Sequence, residues 1–223
     1  LDVALDAINV ARNELRGSKR KAVLFIMVPG WVDTARQDLQ AGLGRKDTER
    51  LADPVITHTL HDYAGDAILN KMNCLGIRND EADNVKVIYV PSYLNGTDGI
   101  FNMSYYDLLP GFDCTLFASY YEPWGYTPLE SVAFAVPTIT TDLAGFGQWV
   151  LDEFGANPAD SGVCVLHRSD SNYSEVVGIL AQKITSIYKM SPARRNALRA
   201  KAQATAKCAS WDNFMKYYYE AYE

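Results

Sequence analysis

Residues 117–147 read FASYYEPWGYTPLESVAFAVPTITTDLAGFG, and no other stretch restricts the fold as much. Residues 113–119, which lead into it, form an apolar run of strand length. Thr127-Pro128-Leu129-Glu130 has the form of a capping box, with Pro128 at the first helical position, where its missing N–H costs nothing. Residues 129–136 then supply an apolar helix, and residues 137–141 a second strand entered through Pro137. Two strands flanking a helix form a parallel right-handed unit, and such units bind ligands at the carboxyl ends of their strands. The loop 122–126 lies at that edge. The amides at the start of the following helix point into the same space, which suits a phosphate.

Glu122 and Glu130 stand with seven residues between them, the first in the loop and the second in the first helical turn. A loop carboxylate accepts hydrogen bonds from sugar hydroxyls, and one in the first turn can reach a ribose diol. A plainer reading is also open, in which Glu130 closes the capping box and Glu122 is a solvated loop charge. Spacing by itself favours the plainer one.

The remaining sequence alternates strands and helices. Residues 1–16 form an amphipathic helix ended by Gly17, and an opening in mid-helix without a cap suggests a domain cut from something longer. Residues 21–28 are a continuous apolar run, expected to be a buried parallel strand. Residues 29–53 are polar with weak helical periodicity. His58 and His61 are three apart with no third ligand near, which favours two surface or loop histidines over a metal site. A helix over 67–75 capped by Gly76, a strand over 85–90, a helix over 148–154 and a strand over 163–166 follow. Residues 174–188 carry a strong helical stripe, Ser191-Pro192 restarts a helix bearing Arg194, Arg195, Arg199 and Lys201, and residues 211–222 are aromatic on most sides. The pattern predicts a Rossmann-like, doubly wound α/β parallel sheet with an α-helical tail.

A chain of 223 residues suits one large domain or a domain with appendages, and a formal charge of −6 gives no reason to expect a nucleic-acid partner. Cys74, Cys114, Cys164 and Cys208 have no CxxC spacing and read as free thiols. No signal peptide or membrane-spanning run is present, so the expectation is a soluble, cytoplasmic protein without membrane attachment.

YYEPWGYTPLE followed by PTITTDLAGFG resembles the donor-site motif of glycogen synthases, especially the eukaryotic type, which are retaining glycosyltransferases of the two-domain GT-B architecture. KAVLFIMVPG, NVKVIYVPSYL and WDNFMKYYY are similar to further stretches of that family, so the resemblance covers nearly the whole chain. It implies that residues 1–208 are the GT-B carboxy-terminal, nucleotide-sugar-binding domain, with a first strand upstream. Residues 209–223 would be a helix that packs on an amino-terminal domain the chain lacks. The implied reaction moves glucose from UDP-glucose to the non-reducing 4-OH of an α-1,4-glucan, with no metal and no cofactor. Glu122 would face the donor sugar as the catalytic carboxylate. Trp124, Gly125, Tyr126 and Thr127 would bind the sugar and diphosphate, Glu130 the ribose, and Tyr93 and Tyr105 would stack on the base. The α-1,4-glucan would be met through the absent domain, and a homo-oligomer is allowed.

The sequence departs from the family pattern in places that bear on these assignments. The arginine and lysine that hold the donor diphosphate lie upstream of Leu1, so the chain alone is expected to be inactive. Ala135 stands where the family usually has glycine, Ala118 where it has proline, and Val90 and Ser92 where it has a histidine and a glutamate near the base. Arg195 and Arg199, and roughly Lys201, match a helix that in the eukaryotic enzymes binds glucose 6-phosphate. Ala204 falls where another arginine is expected, and a solvated basic face is the preferred reading. Two alternatives stay open beside the UDP-glucose enzyme: an ADP-glucose-dependent glycogen or starch synthase or other GT-B enzyme, and a non-catalytic nucleotide-sugar-binding module.

Overall fold

The computed structural model describes residues 1–46, 49–155 and 161–223. The chain divides into two compact units, Ala4–Leu108 with Asp2, and Leu109–Glu223 with Leu1 and Val3. Each unit contains parallel strands with helices between them, the α/β class expected from the alternation of elements.

In the amino-terminal unit, α1 (Asp2–Glu14) precedes β1 (Ala22–Ile26), β2 (Val32–Ala35), α2 (Gln37–Gly42), β3 (His58–Leu60), α3 (Ala67–Cys74), β4 (Val85–Tyr89) and α4 (Tyr105–Leu108). β1 and β4 pair in parallel from Ala22↔Val85 to Ile26↔Tyr89. Leu5, Ile8 and Ala11 form the buried stripe of α1, continued just past its end by Leu15. Arg12 lies on the same side, buried, and donates to the buried Asp83 carboxylate at 3.1 Å and to the carbonyls of Leu75 and Gly76. A buried guanidinium is tolerable only with this kind of pairing. Asp66 caps α3 by accepting from the Leu69 amide at 2.8 Å.

Three expectations need correction here. β1 is not buried on both faces, since Val23 is 49% exposed and β1 has one strand neighbour among the described residues. The polar segment after Pro29 hides a strand: β2 pairs antiparallel with β3, with a register shift between Val32 and Ala35. Two- to four-residue pairings with a shift leave almost no period-two pattern to read. His58 is a β3 residue, only 3% exposed, with its ring nitrogens bonded to Thr57 Oγ1 and the Asp98 carbonyl at 2.8 Å each. It is therefore a core residue and not a surface one, whereas His61 lies in a ring contact with Trp31.

The carboxy-terminal unit runs through a 3-10 turn at Leu109–Gly111, β5 (Thr115–Leu116), α5 (Tyr126–Ala133), β6 (Thr138–Thr141), α6 (Gly145–Phe154), β7 (Val163–Leu166), α7 (Tyr173–Lys189), α8 (Pro192–Cys208) and α9 (Trp211–Tyr222). Its sheet is parallel with order β5-β6-β7. β6 lies in the middle and is buried along its whole length. Two of its three hydroxyls find partners, since Thr115 Oγ1 donates to Thr138 Oγ1 and Thr141 Oγ1 to the Ser119 carbonyl, while the buried Thr140 Oγ1 has none among the described residues. Val132, Phe146, Val150, Val163 and Ala202 form the core beside it.

The central motif is offset from its reading in sequence. α5 begins at Tyr126 with Gly125 as N-cap, in the left-handed region at φ 98°, so the Thr127–Glu130 capping box does not form. Gly125 lets the helix start early, which places Thr127 and Pro128 inside the first turn; there the missing Pro128 N–H still costs nothing. The helix also ends sooner than expected, because Ala135 adopts φ 58°. β5 is shorter than the apolar run 113–119 that announced it.

The basic face of α8 is not simply solvated. Arg199 donates to the carbonyls of Phe112 at 2.8 Å and Pro110 at 2.9 Å, and Arg195 pairs with Asp113 at 2.8 Å. These arginines fasten α8 to the turn that precedes β5. Ser191 accepts from the Arg194 amide and caps the helix, with Pro192 in the first turn. The tail helix α9 leaves Trp211, Tyr217, Tyr218 and Tyr222 exposed.

Candidate functional site

The carboxyl ends of β5 and β6 are joined by two loops that grip each other. The Glu122 amide donates to the Leu143 carbonyl at 3.2 Å, the Gly145 amide returns to the Glu122 carbonyl at 3.1 Å, and the Phe146 amide donates to the Trp124 carbonyl at 2.7 Å. A short parallel bridge, Glu122↔Ala144, results. Two glycines in the first turn of α6 stand against backbone oxygens. A Cβ on Gly145 would overlap the Pro123 carbonyl oxygen, and one on Gly147 the Thr141 carbonyl oxygen. The Glu122 loop thus rests directly on the amino terminus of α6.

On this ledge the backbone of Glu122 is fixed while its side chain is exposed. The amides of Gly125, Tyr126 and Thr127 donate to no backbone acceptor among the described residues. They are the orphan donors at the start of a helix, and the helix dipole adds positive potential there. Gly125 itself is buried, with the place of a Cβ taken up by Pro128 and Glu122, so the glycine serves the left-handed turn. Glu130 is half-buried on the next turn of α5. The Trp124 ring packs among Phe146, Trp149 and Phe214, with centroids 5.6–6.4 Å apart, so only its backbone is available to the ledge. The sequence-predicted residues Glu122, Trp124, Gly125, Tyr126, Thr127 and Glu130 therefore occupy one continuous turn-and-helix segment.

Tyr93 and Tyr105 belong to the amino-terminal unit and are brought near each other there. The Tyr105 amide donates to the Leu94 carbonyl at 2.9 Å, and Asn95 bridges Ser104. Tyr93 is 75% exposed, and the Tyr105 ring is half-buried with its edge toward Tyr106. The loop between them is held by Asp98, whose carboxylate accepts from the amides of Ile100, Phe101 and Asn102. Their assignment to a nucleotide base rests on the resemblance.

Sequence reasoning missed a cluster at the same sheet edge. Asp142, just after β6, accepts from the Arg168 amide at 2.9 Å and binds His167 Nδ1 at 2.5 Å. The hydrogen bond to Asp142, followed by that carboxylate's charge, raises the His167 pKa above its ordinary value. Arg168 donates to the Ala118 carbonyl and lies over the Tyr120 ring, 5.0 Å from its centroid. A usable signal was present, since all three follow directly on strand ends. Among the described residues, no group of three His, Cys, Asp or Glu could hold a metal ion, and no helix is long and apolar enough to cross a membrane.

Residues 44–223 match the family profile described as glycogen synthase. The chain is 34% identical over 168 residues to the liver glycogen [starch] synthase of Mus musculus, covering 75% of this chain and 24% of that protein. It is 35% identical over 159 residues to glycogen [starch] synthase isoform 1 of Saccharomyces cerevisiae, covering 71% of this chain and 22% of that one. The chain thus spans about a quarter of the length of these relatives. Among solved structures it overlaps WaaG, a glycosyltransferase involved in lipopolysaccharide biosynthesis, with a TM-score of 0.45 and 16% identity over 90% of this chain and 46% of that one.

Proposed function

The chain belongs to the glycogen synthase family, and from that premise we propose that it is the donor-binding part of a retaining glycosyltransferase. The reaction is transfer of glucose from UDP-glucose to the non-reducing 4-OH of an α-1,4-glucan. One observation carries this reading: the exposed Glu122 side chain and the Tyr126 and Thr127 amides, which meet no backbone acceptor among the described residues, share a ledge at the carboxyl edge of a parallel sheet.

The chemistry needs two kinds of group there. The departing diphosphate gains negative charge as the glycosidic bond breaks, and preorganised donors lower the cost of that charge. The Tyr126 and Thr127 amides and the dipole of α5 are such donors, assisted by the arginine and lysine that the family carries upstream. The sugar carbon becomes oxocarbenium-like, and Glu122 would face it, binding a hydroxyl and offsetting the positive charge. Amides of Trp124, Gly125 and Tyr126 would hold further sugar hydroxyls, and Glu130 would accept from the ribose diol. Both a front-face departure and a covalent intermediate are compatible with this set of residues.

On this reading the chain alone makes no glucan, because the acceptor and the upstream cations come from other segments. The test is transfer of labelled glucose to glycogen by the full-length protein, with UDP-glucose and ADP-glucose compared. Faster transfer from UDP-glucose supports the proposal. Preference for ADP-glucose would reassign the donor, and binding without transfer from either would make this a nucleotide-sugar-binding module.

A further inference from the structure

The ledge depends on a short run of chain with little regular structure to hold it. β5 ends at Leu116, and after the Phe117 amide donates to the Ile139 carbonyl at 2.8 Å the ladder stops. The backbone is next fixed to the neighbouring loop at Glu122, through Leu143 and Gly145. Between those points, side chains do the holding. Thr141 Oγ1 donates to the Ser119 carbonyl at 2.8 Å, and Arg168 donates to the Ala118 carbonyl while its guanidinium covers the Tyr120 ring. Arg168 reaches there from the end of β7, two strands away in the sheet. Its own backbone is tied down by the Asp142 carboxylate, which also holds His167.

We propose that Arg168 is a positioning residue for Glu122: anchored through Asp142, it fixes residues 118–120 and so sets where the Glu122 carboxylate stands. This rests on the proposed transferase reading, in which Glu122 meets the donor sugar. The geometry favours positioning over core packing, because among the described residues the guanidinium meets the Ala118 carbonyl and the Tyr120 ring, both in the run that leads to Glu122. A charge-assisted bond to a carbonyl together with a cation–π contact restrains a loop in two directions. The residues proposed to bind the diphosphate and ribose lie beyond Gly125 on α5, which Ser131 ties to Thr115 of β5 at 2.7 Å, so that binding should not depend on Arg168.

The test compares Arg168→Met and Arg168→Lys in the full-length protein, with Glu122→Gln as a reference. Misplacing a reacting group by about 1 Å costs up to roughly 100-fold in rate. Arg168→Met should therefore lower kcat by about 10- to 100-fold, with UDP affinity within about twofold of the parent. Arg168→Lys keeps the charge and one donor and should recover most of kcat. An unchanged kcat in Arg168→Met would overturn the proposal. So would UDP binding weakened in step with kcat, which would make Arg168 a ligand contact. If Arg168→Met does not fold, Tyr120→Leu removes the exposed ring beneath the guanidinium and carries the same expectation: lower kcat, unchanged UDP affinity. Should Glu122→Gln keep full activity, the transferase reading of Glu122 fails; should it be inactive while Arg168→Met is normal, only the positioning role fails.

Discussion

The Gly145 amide donates to the Glu122 carbonyl at 3.1 Å, which makes the loop after β6 the floor on which the Glu122 loop lies. A methyl group at position 145 would meet the Pro123 carbonyl oxygen. Gly145→Ala should therefore destabilise the protein by about 1–3 kcal/mol, as overpacking against backbone does. Thermal unfolding of the two proteins decides the point, and an unchanged melting temperature would show that the loops are not in contact.

Ala135 makes the opposite case. It turns the chain out of α5 at φ 58°, a conformation that costs an L-residue about 1–2 kcal/mol. Glycine adopts it freely but gives back about 0.5–1 kcal/mol in unfolded-chain entropy. Ala135→Gly should raise stability by roughly 0.5–1 kcal/mol, seen as a higher denaturation midpoint at unchanged slope. A lower midpoint would contradict the assigned turn. The same turn gives a physical reason for the glycine usual at this place in the family pattern.

The two loops show what was legible in the sequence and what was not. PTITT announced a strand entered through Pro137, and β6 is there, whereas α6 already begins at Gly145, three residues before the helix expected from 148. The start of α5 was misread since TPLE imitates a capping box, whereas a left-handed Gly125 begins the helix by itself. β2 and β3 were missed because so few residues pair. The tie from Arg168 to Ala118 spans fifty positions in the chain, a kind of contact that no local pattern reports. The ledge residues could be read because they adjoin one another in sequence.

Arg199 should act as a fastener. Its two bonds to the carbonyls of Phe112 and Pro110 join α8 to the turn before β5. Arg199→Ala should cost about 1–3 kcal/mol, while the exposed Arg194→Ala stays within about 0.5 kcal/mol of the parent. Equal stability of the two variants would mean that the basic face is merely solvated.

The His167–Asp142 pair predicts a pH effect of defined sign. His167 has a raised pKa in the folded protein, so its stabilising contribution is complete below the ordinary histidine value. That contribution disappears as pH rises through the raised value. An NMR titration should place the His167 midpoint above the ordinary 6.5, and Asp142→Asn should bring it back toward 6.5. Identical midpoints in the two proteins would contradict the pairing.

If the α5 ledge receives a nucleotide-sugar, Glu130 gives the most direct access to that binding. With Gly125 as the N-cap, the Thr127–Glu130 capping box is absent, so that role does not require the Glu130 charge. A ribose diol would bond to the carboxylate by charge-assisted hydrogen bonds worth about 1.5–3 kcal/mol. The measurement is calorimetric titration of UDP-glucose into full-length protein and its Glu130→Gln variant, both checked to be folded. Binding should be about tenfold weaker, or more, in the variant. Equal affinities for the two proteins would contradict it.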